Sequence, residues 1–231
     1  MLYHIQHQGI SNIKMIYSSM FSIEEESLQF CFSGQFFSDK VLTKNECLLT
    51  QNWSNKRVTE FSTGRYCARR TLGPLGLAKH DILIGDNREP LWPNGVTGSI
   101  SHCDNLVGAV TASTTKVKAL GLDIEIIGKV GTEIWNLVFT YNEQEFLRGS
   151  NPQNSELYST IIFSAKECFY KLQFPITRRY IDFKEVEISI NGEELKLSFV
   201  EGFEDIAPIL EKVRIKYITY NSNVITYGYL L

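Results

Sequence analysis

Two segments carry side chains that together could bind a phosphate and a metal ion. The Gly-Leu-Asp-Ile-Glu run reads as a strand, and alternate residues of a strand share a face, so Asp123 and Glu125 point the same way. Residues 161–172 carry apolar residues at helical spacing, which predicts a helix with Glu167 and Lys171 together on one flank. Mg²⁺ prefers a few carboxylates together with phosphate oxygens and water. The two segments therefore predict a site for Mg²⁺ and a phosphate.

Each segment alone is more typical of an ordinary surface. An Asp-x-Glu pair is common on a solvated sheet face, and Glu167 with Lys171 at i, i+4 is a common helix-surface ion pair. A third segment, residues 94–102 with the sequence Asn-Gly-Val-Thr-Gly-Ser-Ile-Ser-His, makes the chemical interpretation the stronger one.

With this third segment the chain resembles the 4'-phosphopantetheinyl transferases of the two-lobed monomeric type. Within that family it is most similar to the branch that includes the phosphopantetheinyl transferase component of enterobactin synthase. The resemblance runs from about residue 57 to about residue 188, and its pieces occur in the family's order. They are residues 61–69, 88–95, 98–102, 121–125, 139–143, 164–171 and 174–180.

The resemblance implies an enzyme that transfers 4'-phosphopantetheine from coenzyme A to a serine of an apo carrier protein, releasing adenosine 3',5'-bisphosphate. It implies that Asp123, Glu125 and Glu167 hold Mg²⁺, for which Mn²⁺ would substitute. It also implies catalytic roles for Asp123, Glu167 and Lys171. Glu167 would take the proton of the serine, directly or through a water, and Lys171 would lie over the pyrophosphate as a point charge.

Coenzyme A also carries a 3'-phosphate, and the resemblance assigns Arg57, Arg65 and His102 to it and its neighbours. Arginine suits this task because its planar guanidinium can pair with two phosphate oxygens. Arg88 is expected on the loop over the adenine, and Ser101 is expected to give its hydroxyl to a phosphate.

The chain departs from the family pattern at two positions. Some relatives have a lysine near the adenine loop where this chain has Ile84, and Ile124 can offer a metal only its backbone carbonyl. We expect Arg69 and Arg70 to lie on the surface or between the lobes.

Composition favours a globular protein of the cytoplasm, and the resemblance adds the expectation of a loose association with a synthase complex at the membrane. The 231 residues are 43% hydrophobic and 21% charged. A net charge of −3 argues against a nucleic-acid binder that relies on a broad basic surface. No run is apolar enough for a transmembrane helix or a signal peptide. Five cysteines without Cys-x-x-Cys spacing favour reduced thiols.

Periodicity and turn residues predict an α+β fold. The predicted helices cover residues 55–72, 141–147 after a Thr-x-x-Glu capping box, and a catalytic helix that follows a polar loop at 149–155 and stops before Pro175. The predicted strands are 82–84, 96–101, 106–112, 120–126, 185–190, 194–199, 213–220 and 224–231. The resemblance implies two similar lobes with pseudo-twofold symmetry, residues 1–115 and 116–231, and an active site in the cleft between them.

Two other functions fit parts of the pattern. A metal-dependent nuclease also combines acidic residues with a lysine, and a binding module could hold coenzyme A without transferring it.

The sequence does not determine which carrier protein is the partner. The resemblance favours peptidyl and aryl carrier domains of a siderophore synthase, with broad-range activation of fatty-acid or polyketide carriers as the alternative. Arg178, Arg179 and Lys184 are candidates for docking an acidic carrier, although a solvated loop explains them equally well.

Overall fold

The structure is a computed structural model that describes residues 13–17, 20–23, 27–192, 194–200 and 212–231. The described chain forms two five-stranded antiparallel sheets with one long helix packed on each, which confirms the α+β prediction. Its helices are α1 (Lys44–Leu49), α2 (Asn55–Leu72), α3 (Trp135–Val138), α4 (Tyr141–Gly149) and α5 (Pro152–Thr177). Its strands are β1 (Ile13–Tyr17), β2 (Met20–Ile23), β3 (Gln29–Ser33), β4 (Val96–His102), β5 (Val107–Ser113), β6 (Ala119–Ile126), β7 (Val186–Asn191), β8 (Glu194–Phe199), β9 (Val213–Tyr220) and β10 (Asn223–Leu230).

The two halves repeat one structural unit. The first sheet has the order β1-β2-β3-β5-β4, and the second has the order β6-β10-β9-β8-β7. In each half a strand leads into the long helix, and the last strand of a later hairpin returns to pair with that first strand. Thus β5 pairs with β3 and β4, and β10 pairs with β6 and β9. The chain leaves the first sheet after Ser113 and enters the second at Ala119. The domain division at residues 115 and 116 stays a prediction.

A matching pair of buried contacts marks the same repeat. In the first half Glu46, in the capping box of α1, accepts a hydrogen bond from Arg69 of α2 at 2.7 Å. In the second half Glu143, in the capping box of α4, accepts from Lys166 of α5 at 2.6 Å. The residues of the second pair follow those of the first at one constant offset along the chain. The ion pair also corrects the expectation for Arg69, which is bound within its own lobe because a buried carboxylate requires a counter-ion.

The described residues form three apolar cores, one within each half and one between the halves. One lies between α2 and the first sheet, and a second lies between α5 and the second sheet. The third joins the facing sides of the two sheets and includes Phe32 and Val110 from one half and Leu122 and Ile124 from the other. Since Leu122 and Ile124 point into this core, the alternation of β6 turns Asp123 and Glu125 toward α5. None of the helices in the described ranges combines the length and hydropathy that crossing a bilayer needs.

Three predicted elements differ from the structure. Residues 82–84 form no strand but only an isolated bridge from Ile84 to Pro90, because side chains of Glu46 and Arg65 take the backbone N–H and C=O of Ile82. The loop predicted at 149–155 is only two residues long, since Asn151 caps α5 and proline suits its first turn.

The third difference lies at the other end of α5. The helix does not stop before Pro175 but continues to Thr177 and is capped by Arg178 in the left-handed region, with φ of 54°. Arg178 N–H donates to the Phe174 carbonyl at 2.9 Å, and Gln173 Nε2 donates to the Arg179 carbonyl at 3.0 Å. These bonds hold the last turn although proline contributes no N–H.

Candidate functional site

The candidate site forms where β6 packs directly on α5. Gly121 makes this approach possible: a Cβ atom at this position would collide with the Cys168 carbonyl oxygen and lie 3.0 Å from its carbonyl carbon. Cys168 itself is fully buried, as expected for a core residue of the helix. The close packing brings the acidic face of β6 against the polar flank of α5.

Asp123 is the centre of a buried hydrogen-bond network. Its side chain is 4% exposed, and its Oδ1 accepts from Lys171 Nζ at 2.6 Å and from Ser101 Oγ at 3.0 Å. Its Oδ2 accepts from Ser164 Oγ at 2.9 Å. Lys171 Nζ also donates to Ser101 Oγ at 3.1 Å. The network joins β4 and β6, which belong to different halves, to the long helix of the second half.

This network changes the interpretation of Lys171 and Ser101. The ordinary alternative for Lys171 was a helix-surface ion pair with Glu167, but the ammonium group pairs with Asp123 across two elements. Desolvation lowers the pKa of Lys171, yet the negative charges of Asp123 and Glu167 outweigh it and raise the pKa above its ordinary value. Ser101, expected to face a phosphate, donates to Asp123 here.

Glu125 and Glu167 add further negative charge beside Asp123. Burial, together with the charges of Asp123 and Glu167, raises the pKa of Glu125 to about 7, and Lys171 opposes the shift. Burial also raises the pKa of Glu167, with Lys171 opposing and Asp123 contributing. Excess negative charge of this kind favours a hard cation. The donor set therefore fits Mg²⁺, although no three acidic, cysteine or histidine side chains of the described residues are already gathered at metal-binding spacing.

A cleft of about 420 Å³ opens beside this network on the first half. Four side chains predicted to contact coenzyme A line it, and so does Ile84, the position where some relatives have lysine. The four are Arg57, Arg65, Arg88 and His102. Arg57 and Arg88 are exposed, and exposed cations on a concave surface suit a ligand with several phosphates.

Aromatic side chains hold the cations of α2 in place. The Arg57 guanidinium lies 4.3 Å from the ring centre of Trp53, and the Arg65 guanidinium lies 4.0 Å from that of Phe61. Trp53 and Phe61 contact each other edge to face at 5.1 Å. Arg57 remains exposed to solvent, so its charge is available to a ligand.

Arg65 differs from Arg57 in its surroundings. It is only 6% exposed, its Nε donates to the Ile82 carbonyl at 2.8 Å, and burial lowers its pKa to about 10. Arg65 therefore anchors the segment that carries Ile84 and Arg88 as well as lining the cleft. Arg88 itself has φ of 66°, an uncommon left-handed backbone for a residue other than glycine.

His102 lies at the end of β4, immediately after Ser101. Its Nδ1 is 3.9 Å from Glu60 Oε1, and its side chain is 47% exposed. Burial of the ring lowers the pKa of His102, while the charge of Glu60 opposes the shift. Glu60 is a lining residue that the sequence did not single out. The sequence signal that could have identified Glu60 is its position one helical turn after Arg57.

A second cavity, of about 470 Å³, lies against the other flank of α5. Glu167 lines it together with aromatic and aliphatic side chains, among them Tyr170, Tyr180 and Ile181. Tyr170 and Tyr180 lie with ring centres 5.8 Å apart, and Tyr180 is 78% exposed. Asp182 and Glu185 also line the cavity, so Glu167 faces a cavity of aromatic, aliphatic and acidic side chains beside the polar network.

Lys166 next to Glu167 has a structural position. Its Nζ donates to Glu143 at 2.6 Å and to the carbonyls of Val138 and Phe183 at 2.9 and 2.7 Å, and its side chain is 1% exposed. Lys166 is therefore a buried structural residue, whereas the adjacent Glu167 belongs to the candidate site.

Comparison with known proteins agrees with this geometry. Residues 45–112 match the family model described as the 4'-phosphopantetheinyl transferase N-terminal domain, and residues 119–223 match that of the 4'-phosphopantetheinyl transferase superfamily. The chain is 33% identical over 175 residues to enterobactin synthase component D of Salmonella typhi, covering 74% of this chain and 71% of that protein.

Two further relatives are matched over a shorter part. Identity is 36% to 4'-phosphopantetheinyl transferase Svp of Streptomyces mobaraensis and 35% to 4'-phosphopantetheinyl transferase PptT of Mycobacterium tuberculosis. Each match covers 60% of this chain, and 56% and 60% of the respective relatives, so the chain spans less than two thirds of their length.

Proposed function

Because the chain belongs to the 4'-phosphopantetheinyl transferase family, we propose that it transfers 4'-phosphopantetheine from coenzyme A to a serine hydroxyl of an apo carrier protein. The serine oxygen would attack the β-phosphorus of coenzyme A, and the bond from that phosphorus to the bridging oxygen would break. Adenosine 3',5'-bisphosphate would leave, and the serine would lose its proton.

One observation carries the proposal. The cation-lined cleft and the carboxylate network meet at consecutive residues of β4, because His102 lines the cleft while Ser101 binds Asp123. A nucleotide in the cleft would therefore have its pyrophosphate beside the carboxylates and Lys171. Phosphoryl-type transfer depends mainly on such positioning and on charge neutralisation.

We assign the residues as follows. Asp123, Glu125 and Glu167 would hold Mg²⁺, or Mn²⁺ in its place, and the bound ion would neutralise charge on the pyrophosphate. Glu167 would accept the proton of the serine, directly or through a water, because its carboxylate lies beside the Asp123 network. Lys171 would oppose the charge that develops on the leaving phosphate.

The nucleotide would be bound mainly by the first half of the chain. Arg57 and His102 would contact the 3'-phosphate and its neighbours, and Arg88 would lie on the adenine loop, where Ile84 supplies no charge. Arg65 would contribute its positive charge while anchoring that loop through the Ile82 carbonyl.

The cavity beside Glu167 would accommodate the pantetheine arm and the approaching carrier serine. Tyr170, Tyr180 and Ile181 offer an apolar wall to an uncharged chain that also carries amide groups, and Glu167 lies at the boundary between this cavity and the polar network. An acidic carrier would be contacted by Arg178, Arg179 and Lys184, which follow the last residue of α5 near the cavity.

For the partner, we propose peptidyl or aryl carrier domains of a siderophore synthase, with fatty-acid or polyketide acyl carriers as the alternative. The relative named as an enterobactin synthase component favours the first class. We further propose that the chain works as a monomer in the cytoplasm, which light scattering on the purified protein and fractionation of cells would test.

The deciding experiment is mass spectrometry of purified apo carriers incubated with the protein, coenzyme A and Mg²⁺. One carrier from each class is tested, and the expected result is a mass increase of one phosphopantetheine on the serine. Chelation of the metal and the Asp123→Ala variant serve as controls. Loss of a charge-stabilising group from such a site should slow transfer by roughly 10²–10³-fold.

Each outcome has a defined consequence. Modification of both classes at similar rates would support the broad-range alternative, and modification of neither would contradict the proposed activity. Binding of coenzyme A without any transfer would identify the chain as a binding module. Nicking of plasmid DNA in the presence of Mg²⁺ would instead favour the nuclease.

A further inference from the structure

Ser164 lies in the middle of α5 and makes an unusual hydrogen bond. A serine within a helix commonly donates back to a carbonyl of the preceding turn. Ser159 and Thr160, in the same helix, both do so, to the Glu156 carbonyl at 3.1 and 2.7 Å. Ser164 is fully buried, and its hydroxyl donates across to Asp123 Oδ2 at 2.9 Å instead.

The packing of β6 on α5 creates this contact. Gly121 lets the strand approach the backbone of Cys168, which lies one helical turn after Ser164. Asp123 lies two residues after Gly121 and thus on the same face of the strand. The serine hydroxyl and the aspartate oxygen are therefore brought together by backbone contact, so little freedom remains for either side chain.

The bond leaves a defined part of the carboxylate available. A carboxylate has about four acceptor positions, two on each oxygen. Lys171 and Ser101 occupy both positions of Oδ1, whereas Oδ2 accepts a single hydrogen bond from the described residues, that of Ser164. One acceptor position of Oδ2 remains for a cation. The hydrogen bond from Ser164 fixes the direction in which that position points.

We propose that Ser164 is a positioning residue, which orients Asp123 so that Oδ2 presents its remaining acceptor position to the metal ion. This inference rests on the proposed function, since it assigns Asp123 as a metal ligand. Groups that orient metal ligands typically contribute 10–100-fold to metal affinity or activity. Ser164 carries no charge and would touch neither the metal nor coenzyme A, so its effect would act through Asp123 alone.

The test compares Ser164→Ala with a matched control, Ser159→Ala. Both serines are buried in α5, and both changes delete one hydroxyl, but Ser159 bonds only within its helix. Mn²⁺ is titrated into each protein without coenzyme A, because the pyrophosphate itself binds the ion, and free Mn²⁺ is followed by electron paramagnetic resonance. Thermal unfolding of each variant reports on the fold.

We expect Ser164→Ala to weaken Mn²⁺ binding by roughly 10–100-fold and to raise the Mg²⁺ concentration for half-maximal transfer by a similar factor. Ser159→Ala should bind Mn²⁺ like the wild type. Ser164→Cys, of nearly the same shape but a weak donor, should fall between wild type and Ser164→Ala, and it replaces the alanine variant if that variant does not fold.

Wild-type Mn²⁺ affinity in Ser164→Ala would overturn the inference, as would equal losses in Ser164→Ala and Ser159→Ala. Failure of the proposed function is seen separately, in the wild-type protein. If that protein neither binds Mn²⁺ nor transfers phosphopantetheine, the function and the inference are both overturned before any variant is compared.

Discussion

Gly121→Ala is expected to separate the two elements that build the candidate site. The new methyl group would collide with the Cys168 carbonyl oxygen and lie 3.0 Å from the carbonyl carbon, whereas carbon atoms pack best at roughly 3.5–4.0 Å. The obstacle is helix backbone, which cannot rotate away as a side chain can. The contact with the oxygen is the shorter of the two, so the helix α5 would have to move from β6 by about 1 Å or more.

The displacement should affect stability and activity together. Forcing extra volume into a packed core costs about 1–3 kcal/mol of unfolding free energy, and in a chain of this size each kcal/mol lowers Tm by about 2–4 °C. Misplacement of reacting groups by about 1 Å can reduce rate 10²-fold. Since Ser164 and Lys171 both reach Asp123 from α5, we expect kcat to fall by roughly that factor.

Urea unfolding and steady-state transfer kinetics measure the two effects. Gly149→Ala is the matched control, because Gly149 is the last residue of α4 and a Cβ atom there meets nothing within 4 Å. That change should be neutral or stabilise the protein by about 0.4–1 kcal/mol. Unfolding free energy within 0.5 kcal/mol of wild type for Gly121→Ala, with unchanged kcat, would refute the packing argument.

Three further predictions separate structural, catalytic and binding roles. Lys166→Met should cost about 3–5 kcal/mol by leaving the buried Glu143 without its counter-ion, and Lys166→Met with Glu143→Gln should recover part of that in urea unfolding. Lys171→Ala should lower kcat by roughly 10²-fold with partial recovery in Lys171→Arg, whereas an unchanged kcat would exclude a role in the transition state. Arg57→Ala should mainly raise KM for coenzyme A and leave KM for dephospho-coenzyme A nearly unaltered, and an equal penalty with both donors would contradict the phosphate assignment.

The sequence alone determined most of the local structure. The helix over residues 55–72 and the β6 strand were predictable because their patterns depend on neighbours a few residues apart. The shared face of Asp123 and Glu125 follows from strand geometry, and the Thr140 capping box from a four-residue signature. The family was also identifiable from short motifs in order, and the family models confirm it.

Only the tertiary structure decided which distant groups meet. Residues 82–84 have strand-like composition, yet side chains of Glu46 and Arg65 take the backbone bonds that a strand would use. The partner of Lys171 is Asp123 and not its helical neighbour Glu167, because Gly121 admits the helix backbone close to β6. A one-dimensional pattern specifies spacing along an element, whereas such pairs depend on how closely two backbones approach.

The internal repeat shows the same division. No repeated sequence is evident, since Arg69 in one half corresponds to Lys166 in the other and the motifs around them differ. The structure reveals the correspondence because each cation neutralises a buried capping-box glutamate, Glu46 or Glu143, that also accepts a backbone N–H from a later segment. Either cation meets the electrostatic requirement of a buried carboxylate. The ion pair is therefore present in both halves, although the cation is arginine in one and lysine in the other.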